Sequence, residues 1–273
     1  MKESDSQSKT QDMCRLCDKS LFPQFNLTIL GKHDVQYLEC VNCGALQTEP
    51  PYWLGEAYEN KNLSILDTGA VQRNIDNLAA CFVISKLFQL KNVIDVGGGD
   101  GLLCRLLRDY GINCYIKDKY ATPTYAQGFT EQNFDIVDLV IGFEVLEHLP
   151  NPKCDLEEFF GYNPEALLLT TAIYKNQNKD WWYFSPESGQ HVFFYSKKAL
   201  KSIAEKYKYS LLTSGGFILF IKNISFVKSL LVKLLLNRMM CRLMRGIVIL
   251  LPARGAWSDH LLQKKKQQVA SQL

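Results

Sequence analysis

At 273 residues, 47% of them hydrophobic, the chain has enough apolar material for one substantial core and a small module, which excludes disorder along its whole length. A formal net charge of +3 is too small to mark a nucleic-acid binder, so basic character matters only where it clusters, at the C-terminal end. Nine cysteines behind a polar N-terminus with no secretory pattern read as thiols and metal ligands of a cytoplasmic protein rather than as a disulfide framework.

Residues 1–12, MKESDSQSKTQD, predict a disordered N-terminus. The module 13–50 then carries two cysteine pairs, CRLC at Cys14 and Cys17 and CVNC at Cys40 and Cys43, with 22 residues between them. Each pair offers two thiolates from one turn, and Gly44 lets the backbone curl behind the second. Four soft ligands with no open position define a structural Zn2+ site, here a small zinc ribbon. Cys81, Cys104, Cys114, Cys154 and Cys241 stand singly among apolar residues and predict small buried hydrophobes. No basic stripe lies between the pairs, so no nucleic-acid partner is expected and the module reads as a docking element.

A domain over 51–223 follows. VQRNIDNLAACFVISKLFQL has apolar residues at helical spacing; NVIDVG, NCYIKD, VDLVIGF and ALLLTTA read as buried strands. LLCRLLRDYG is a helix ended by Gly111, and SKKALKSIAEKY a helix capped by Ser196. This alternation predicts an α/β fold with a parallel sheet covered on both faces. YSLLTSGGFILFIK is a hairpin turning at Gly215 and Gly216, so the last strand runs antiparallel to the one before it.

The strand NVIDVG opens into four glycines within five positions, Gly97, Gly98, Gly99 and Gly101. That is more than a turn requires, and implies a ligand approaching the main chain. A dinucleotide fingerprint G-x-G-x-x-G counted from Gly97 would need its third glycine at Leu102, which weakens a nicotinamide reading. The pattern D-x-G-x-G-x-G from Asp95 resembles instead the first motif of class I S-adenosylmethionine-dependent methyltransferases. The resemblance implies a Rossmann-like seven-stranded sheet with an antiparallel last strand. It also implies that Asp95, Gly97, Gly99 and Gly101 hold the amino-acid end of S-adenosylmethionine, and that Asp118, ending the second strand, takes the ribose hydroxyls.

The segment FDIVDLVIGFEVLEHLPNP resembles the same family's fourth-strand motif, which implies that Phe143 and Glu144 line the cofactor and that Glu147 and His148 face the substrate. A similar CxxC…CxxC module precedes methyltransferase domains that act on nucleotide-linked deoxysugars, and SGQHVFFYS resembles a signature of that subgroup. The resemblance therefore implies a sugar or glycan acceptor. The resemblance departs from deoxysugar C-methyltransferases, whose further C-terminal domain has no counterpart in these residues, and the short stretch between Asp118 and Asp138 predicts a short adenine-side loop.

Methyl transfer needs alignment, exclusion of water and a proton acceptor where the nucleophile is a hydroxyl. Of the four histidines, His191 and His148 are the candidates for base or substrate ligand, with Glu147 beside them; His33 belongs to the cysteine module and His260 to the tail. Trp181, Trp182, Tyr183 and Phe184 either stack on a sugar ring or pack as a lid. The tail 224–273 is a basic amphipathic helical segment with too many charges to span a membrane. Read as one helix, it places Lys228, Arg238, Arg242 and Arg245 broadly on one side. Residues 226–251 either lie peripherally in a membrane interface or pack on protein. Two rival functions stand beside small-molecule methylation: a non-catalytic cofactor fold recruiting partners through zinc and tail, and methylation of protein or RNA.

Overall fold

The computed structural model describes residues 13–59 and 67–270; the stretch 1–12 assigned to disorder by sequence lies outside the described residues. The chain divides into two units. One comprises Met1–Leu63, Glu147–Leu156 and Ala172–Ile203; the other comprises Ser64–Leu146, Glu157–Thr171 and Ala204–Leu273.

The first unit is built on β1 (Leu21–Ile29), β2 (His33–Cys40), β3 (Leu46–Thr48) and β8 (Phe193–Phe194), all antiparallel in the order β1-β2-β3-β8. The segment 13–50 thus shares its sheet with 172–203. Alternate β2 residues Val35 and Tyr37 point into a core with Leu46, Trp53, Tyr174, Tyr183, Phe184, Val192 and Phe194. The short helix α1 (Leu54–Glu59) brings Ala57 to this core, and the indole Nε1 of Trp53 donates to the Gly189 carbonyl at 2.8 Å.

The second unit holds a six-stranded sheet in the order β5-β4-β6-β7-β10-β9. Its strands are β4 (Asn92–Val96), β5 (Asn113–Lys117), β6 (Leu139–Phe143), β7 (Ala166–Thr170), β9 (Ser210–Ser214) and β10 (Phe217–Ile221). Neighbours among β5, β4, β6 and β7 pair in parallel, and β10 runs antiparallel to both β7 and β9, as the hairpin predicts. Central strands carry unbroken apolar runs because both faces are covered; every residue of β10 is buried. The expected seventh strand is absent from the described residues. The stretch after Asp118 forms turns instead, since it has no apolar run long enough for a strand and its amides at Thr124 and Tyr125 bond the Asp100 carbonyl at 2.8 and 2.9 Å.

The helices α2 (Ala70–Phe88), α3 (Leu102–Asp109) and α5 (Lys197–Tyr207) fall where the apolar spacing puts them, and Ser196 Oγ accepts from the Ala199 amide at 2.9 Å as the cap of α5. A further helix, α4 (Pro152–Gly161), has proline at its first position, and its Asp155 carboxylate accepts the Asn151 amide at 2.8 Å. Of the five lone cysteines four are buried, whereas Cys154, on α4, is exposed. The tail is three helices rather than one: α6 (Phe226–Leu235), α7 (Arg238–Ile249) and α8 (Arg254–Ala270). Asn237 restarts the chain, its side chain accepting the Met239 amide at 3.0 Å. Lys228 and the three arginines therefore lie on different helices, and the single-helix arrangement does not hold.

Helix α8 is fixed to α3 by charge. Asp259 accepts from Arg108 Nε at 2.7 Å and from a terminal nitrogen of Arg108 at 2.6 Å, and Arg105 adds a third bond at 2.6 Å. Arg108 is 7% exposed, so removing its carboxylate strands a buried cation. Asp259→Ala is expected to lower the unfolding free energy by about 3–5 kcal/mol, read as a lower urea midpoint, with part of the loss recovered when Arg108→Met is added.

Candidate active site

The carboxyl ends of β5, β4 and β6, three adjacent strands, gather the residues of the second unit that the sequence singles out. Asp95 sits near the end of β4, in register with Ile116 of β5 and Ile141 of β6, and is 2% exposed. Its Oδ2 has no hydrogen-bond partner among the described residues. Burial, with the nearby Asp118 carboxylate adding to it, pushes the Asp95 pKa up to about 7.

The glycines that follow are mostly explained by the protein itself. Gly97, Gly99 and Gly101 have φ of 72°, 60° and 83°, the left-handed region, which accounts for their alternate spacing. A Cβ on Gly98 would lie 2.5 Å from Asp95 Oδ2, and one on Gly101 would lie 2.7 Å from Ala126 Cβ. Only Gly99 among the four would meet nothing within 4 Å, so main-chain access for a ligand is concentrated there. The other three glycines are required by the turn and its packing as well.

Asp118 follows β5 and is already engaged. Its Oδ2 accepts the Gly99 amide at 2.9 Å, and its Oδ1 accepts the amides of Tyr120 and Ala121 at 2.8 and 2.7 Å. A carboxylate has about four lone-pair directions, so one remains for a ligand hydroxyl where a vicinal diol wants two. Phe143 ends β6 with its ring edge-on to Phe217, and Glu144 has φ of 55°, unusual for a side chain of its size. Thr170 Oγ1 at the end of β7 accepts the Glu144 amide at 3.0 Å and donates to its Oε1 at 2.7 Å.

Glu147, His148 and His191 belong to the first unit, and there they come together. One ligand atom from each lies within 4.8 Å of the others, and the two imidazoles stand edge-to-face at 88° with centroids 4.8 Å apart. His191 Nδ1 donates to the Tyr183 carbonyl at 2.6 Å, which leaves a lone pair on Nε2. The Tyr183 hydroxyl donates to Glu147 Oε1 at 2.6 Å. Burial lowers the pKa of His191 to about 4, and burial together with His191 lowers that of His148. Desolvation thus keeps both imidazoles neutral at neutral pH. A carboxylate and two neutral imidazoles are also a donor set suited to a divalent cation, with Glu147 and His191 each oriented by a second bond.

Tyr183, which the sequence offers only as part of an aromatic run, bonds both Glu147 and His191, eight residues ahead of the latter. Of the aromatic run, Tyr183 and Phe184 are core, Trp181 packs against it, and only Trp182, 78% exposed, is available for stacking. Also in the first unit, the sulfurs of Cys14, Cys17, Cys40 and Cys43 lie within 4.8 Å of one another, with Cys14 to Cys43 at 3.7 Å and Cys17 to Cys40 at 3.5 Å. Tetrahedral zinc with Zn–S bonds of about 2.3 Å sets sulfur separations of about 3.8 Å. The Cys43 amide points at Cys40 Sγ at 3.4 Å, and Gly44 turns the chain with φ of 65°.

Residues 63–214, more than half of the chain, match the family described as a methyltransferase domain. The chain belongs to the methyltransferases. No curated protein matches it. Solved structures similar to it include a Burkholderia thailandensis 1,6-didemethyltoxoflavin-N1-methyltransferase with bound 1,6-didemethyltoxoflavin and S-adenosylhomocysteine, at 10% identity and TM-score 0.47, covering 72% of this chain and 97% of that one. Magnesium protoporphyrin IX methyltransferase from Synechocystis PCC 6803 is similar at 16% identity and TM-score 0.43, over 56% and 83%. The methyltransferase domain of a bacterial Hen1 is similar at 20% identity and TM-score 0.39, over 55% and 99%.

In this methyltransferase the buried Asp95 makes stability depend on pH. Its folded pKa is raised, so the folded state keeps a proton that the unfolded chain has released; that contribution is full below about pH 4 and is lost as pH rises through about 7. The unfolding free energy from urea titrations is expected to fall between pH 4.5 and 8 by an amount on the order of 3 kcal/mol, and Asp95→Asn to flatten that slope. An unchanged slope in the variant would remove Asp95 as its source.

Proposed function

We propose that the methyltransferase transfers the methyl group of S-adenosylmethionine to a small-molecule acceptor, a sugar or glycan intermediate. The observation that carries this reading is the pairing of a buried, unpartnered Asp95 Oδ2 with the open main chain at Gly99. When bound, S-adenosylmethionine supplies an electrophilic methyl on a sulfonium, so the protein has only to bind, orient and deprotonate. Asp95 suits the cationic amino-acid end, because an ammonium there would satisfy a carboxylate otherwise buried alone. Asp118 fixes the Gly99 amide and keeps one acceptor position for a ribose hydroxyl. The Phe143 ring and the Thr170-braced Glu144 line the end of the next strand.

Glu147, His148 and His191 are assigned to the acceptor. His191 Nε2 takes the hydroxyl proton as the oxygen attacks, and Tyr183 holds the imidazole in the tautomer that leaves this nitrogen free. The clustering of the three donor atoms favours a second reading in which they hold a divalent cation that acidifies the same hydroxyl. The sugar assignment rests on the resemblance of SGQHVFFYS and of the paired-cysteine module to sugar-modifying relatives. Zn2+ is assigned to Cys14, Cys17, Cys40 and Cys43, which the sulfur separations support.

Calorimetry with S-adenosylmethionine is expected to show binding that Asp95→Ala weakens at least tenfold, as a lost charge-assisted bond of about 1.5–3 kcal/mol requires. His191→Ala is expected to lower turnover by about 10²–10⁴-fold in a screen of nucleotide sugars, with cofactor affinity unchanged. A chelator dose that leaves cysteine-bound zinc in place separates the two roles: loss of activity restored by Mg2+ or Mn2+ supports the cation, and insensitivity supports the base. Metal analysis is expected to find one zinc per chain, and Cys40→Ser to lower the melting temperature without abolishing cofactor binding.

A further inference from the structure

Helices α6 and α7 are apolar on two faces. Their inner faces are buried within the second unit: Val232, Leu236, Cys241 and Val248 are all under 7% exposed, and Arg245 pairs with Asp76 of α2 at 2.9 Å. Their outer faces ought then to be polar, as on any surface helix. They are not. On α6, Phe226, Val227, Leu230 and Leu234, one stripe on a 3.6-residue turn, are between 52% and 77% exposed. On α7, Met239, Leu243 and Ile247 repeat every fourth residue at 74%, 56% and 45%, and Leu250 just beyond is 85% exposed. At the start of α8, Trp257 is 67% exposed.

Charge says what covers these stripes. From Ile224 to Ser258 the chain has six basic residues, Lys228, Lys233, Arg238, Arg242, Arg245 and Arg254, and no acidic one. Helical spacing sets Lys233 beside the α6 stripe and Arg242, with Arg238 one turn before it, beside the α7 stripe, whereas Lys228 turns away with its Nζ 5.1 Å over the Phe88 ring. Two copies of this face would oppose like charges across a two-fold axis, which disfavours self-association. No described helix is long and apolar enough to cross a membrane. A stripe of large apolar side chains edged by Lys and Arg fits the boundary between acyl chains and anionic head groups.

We propose that α6, α7 and the start of α8 form a docking face for an anionic lipid bilayer, with the apolar stripes inserted at head-group depth and the flanking basic residues on the lipid charges. This surface stands on its own observations and does not depend on the identity of the methyl acceptor.

The test is sedimentation of the full chain with vesicles of phosphatidylcholine alone or with about 30% phosphatidylserine. Binding is expected to be at least tenfold tighter to the anionic vesicles and to weaken as salt rises from about 0.1 to 0.5 M. Leu230→Ser with Leu234→Ser, both at exposed positions, is expected to abolish binding while leaving thermal unfolding and cofactor affinity unchanged. Arg238→Glu with Arg242→Glu is expected to remove the anionic preference. No binding to anionic vesicles, or full binding by the serine variant, overturns the proposal. So does a dimer in analytical ultracentrifugation that the serine variant converts to monomer, since a second copy would then own the face.

Discussion

The first unit turns on one guanidinium. Arg15, inside the first cysteine pair, donates to the carbonyl oxygens of Pro150 at 3.0 Å, Thr48 at 3.1 Å and Val192 at 2.6 Å. These oxygens come from three stretches far apart in sequence: β3, the turn after His148, and the strand entry next to His191. Burial lowers its pKa to about 10, so it stays charged at neutral pH, and the carbonyl dipoles stand in for the water it has lost. A lysine carries one point of charge and cannot bridge three acceptors in a plane, which makes this a site where arginine is not interchangeable. The Val192 amide in turn donates to the Glu147 carbonyl at 2.8 Å. The cysteine module therefore reaches beyond its own fold: the knuckle that positions Arg15 also positions the backbone around Glu147, His148 and His191.

Charges in the second unit are treated in opposite ways. Arg108 is almost as buried as Asp95, yet it is matched by a bidentate carboxylate and stacks over Phe129, with its guanidinium carbon 3.7 Å from the ring centroid. Asp118 is satisfied by three amides. Asp95 alone is left with an oxygen unmatched among described residues, between the glycine turn and the strand core. A protein able to satisfy Asp118 and Arg108 so fully has the means to satisfy Asp95 as well. On the function proposed above, the unmet carboxylate is stability forgone so that a cationic ligand completes the site.

Much of this was legible in the sequence because it rests on local rules. Apolar runs located β4, β5, β6, β7 and the β9–β10 hairpin, helical spacing located α2, and the paired cysteines located the four-sulfur cluster. What escaped depends on contacts between distant residues. The two-residue strand β8 is too short to show a period and exists because Leu46 and Gln47 lie beside it. The Tyr183 bonds to Glu147 and His191 leave no trace in spacing, so the aromatic run reads equally as a stacking platform. The break at Asn237 was hidden because basic residues recur along the whole tail, so Asn237 and Arg238 do not stand out as a boundary.

Glu144 shows how a strand end and a turn are made to agree. A non-glycine residue in the left-handed region costs about 1 kcal/mol or more, and such strain persists only where neighbours over-determine it. Here Thr170 does so, accepting the Glu144 amide and donating to its carboxylate, while Phe143 one residue earlier is in register with Thr170. The side chain is thereby folded back onto β7. The same turn sets Val145 so that a Cβ on Gly97 would come within 2.8 Å of its Cγ2. Glycine at 97 and the strained glutamate are thus two sides of one fit: the turn after β6 can close against the turn after β4 only if one residue has no side chain and the other accepts an unfavourable φ. The motif residues at the ends of β4 and β6 are coupled by packing, and a change at either should disturb both before any ligand is considered.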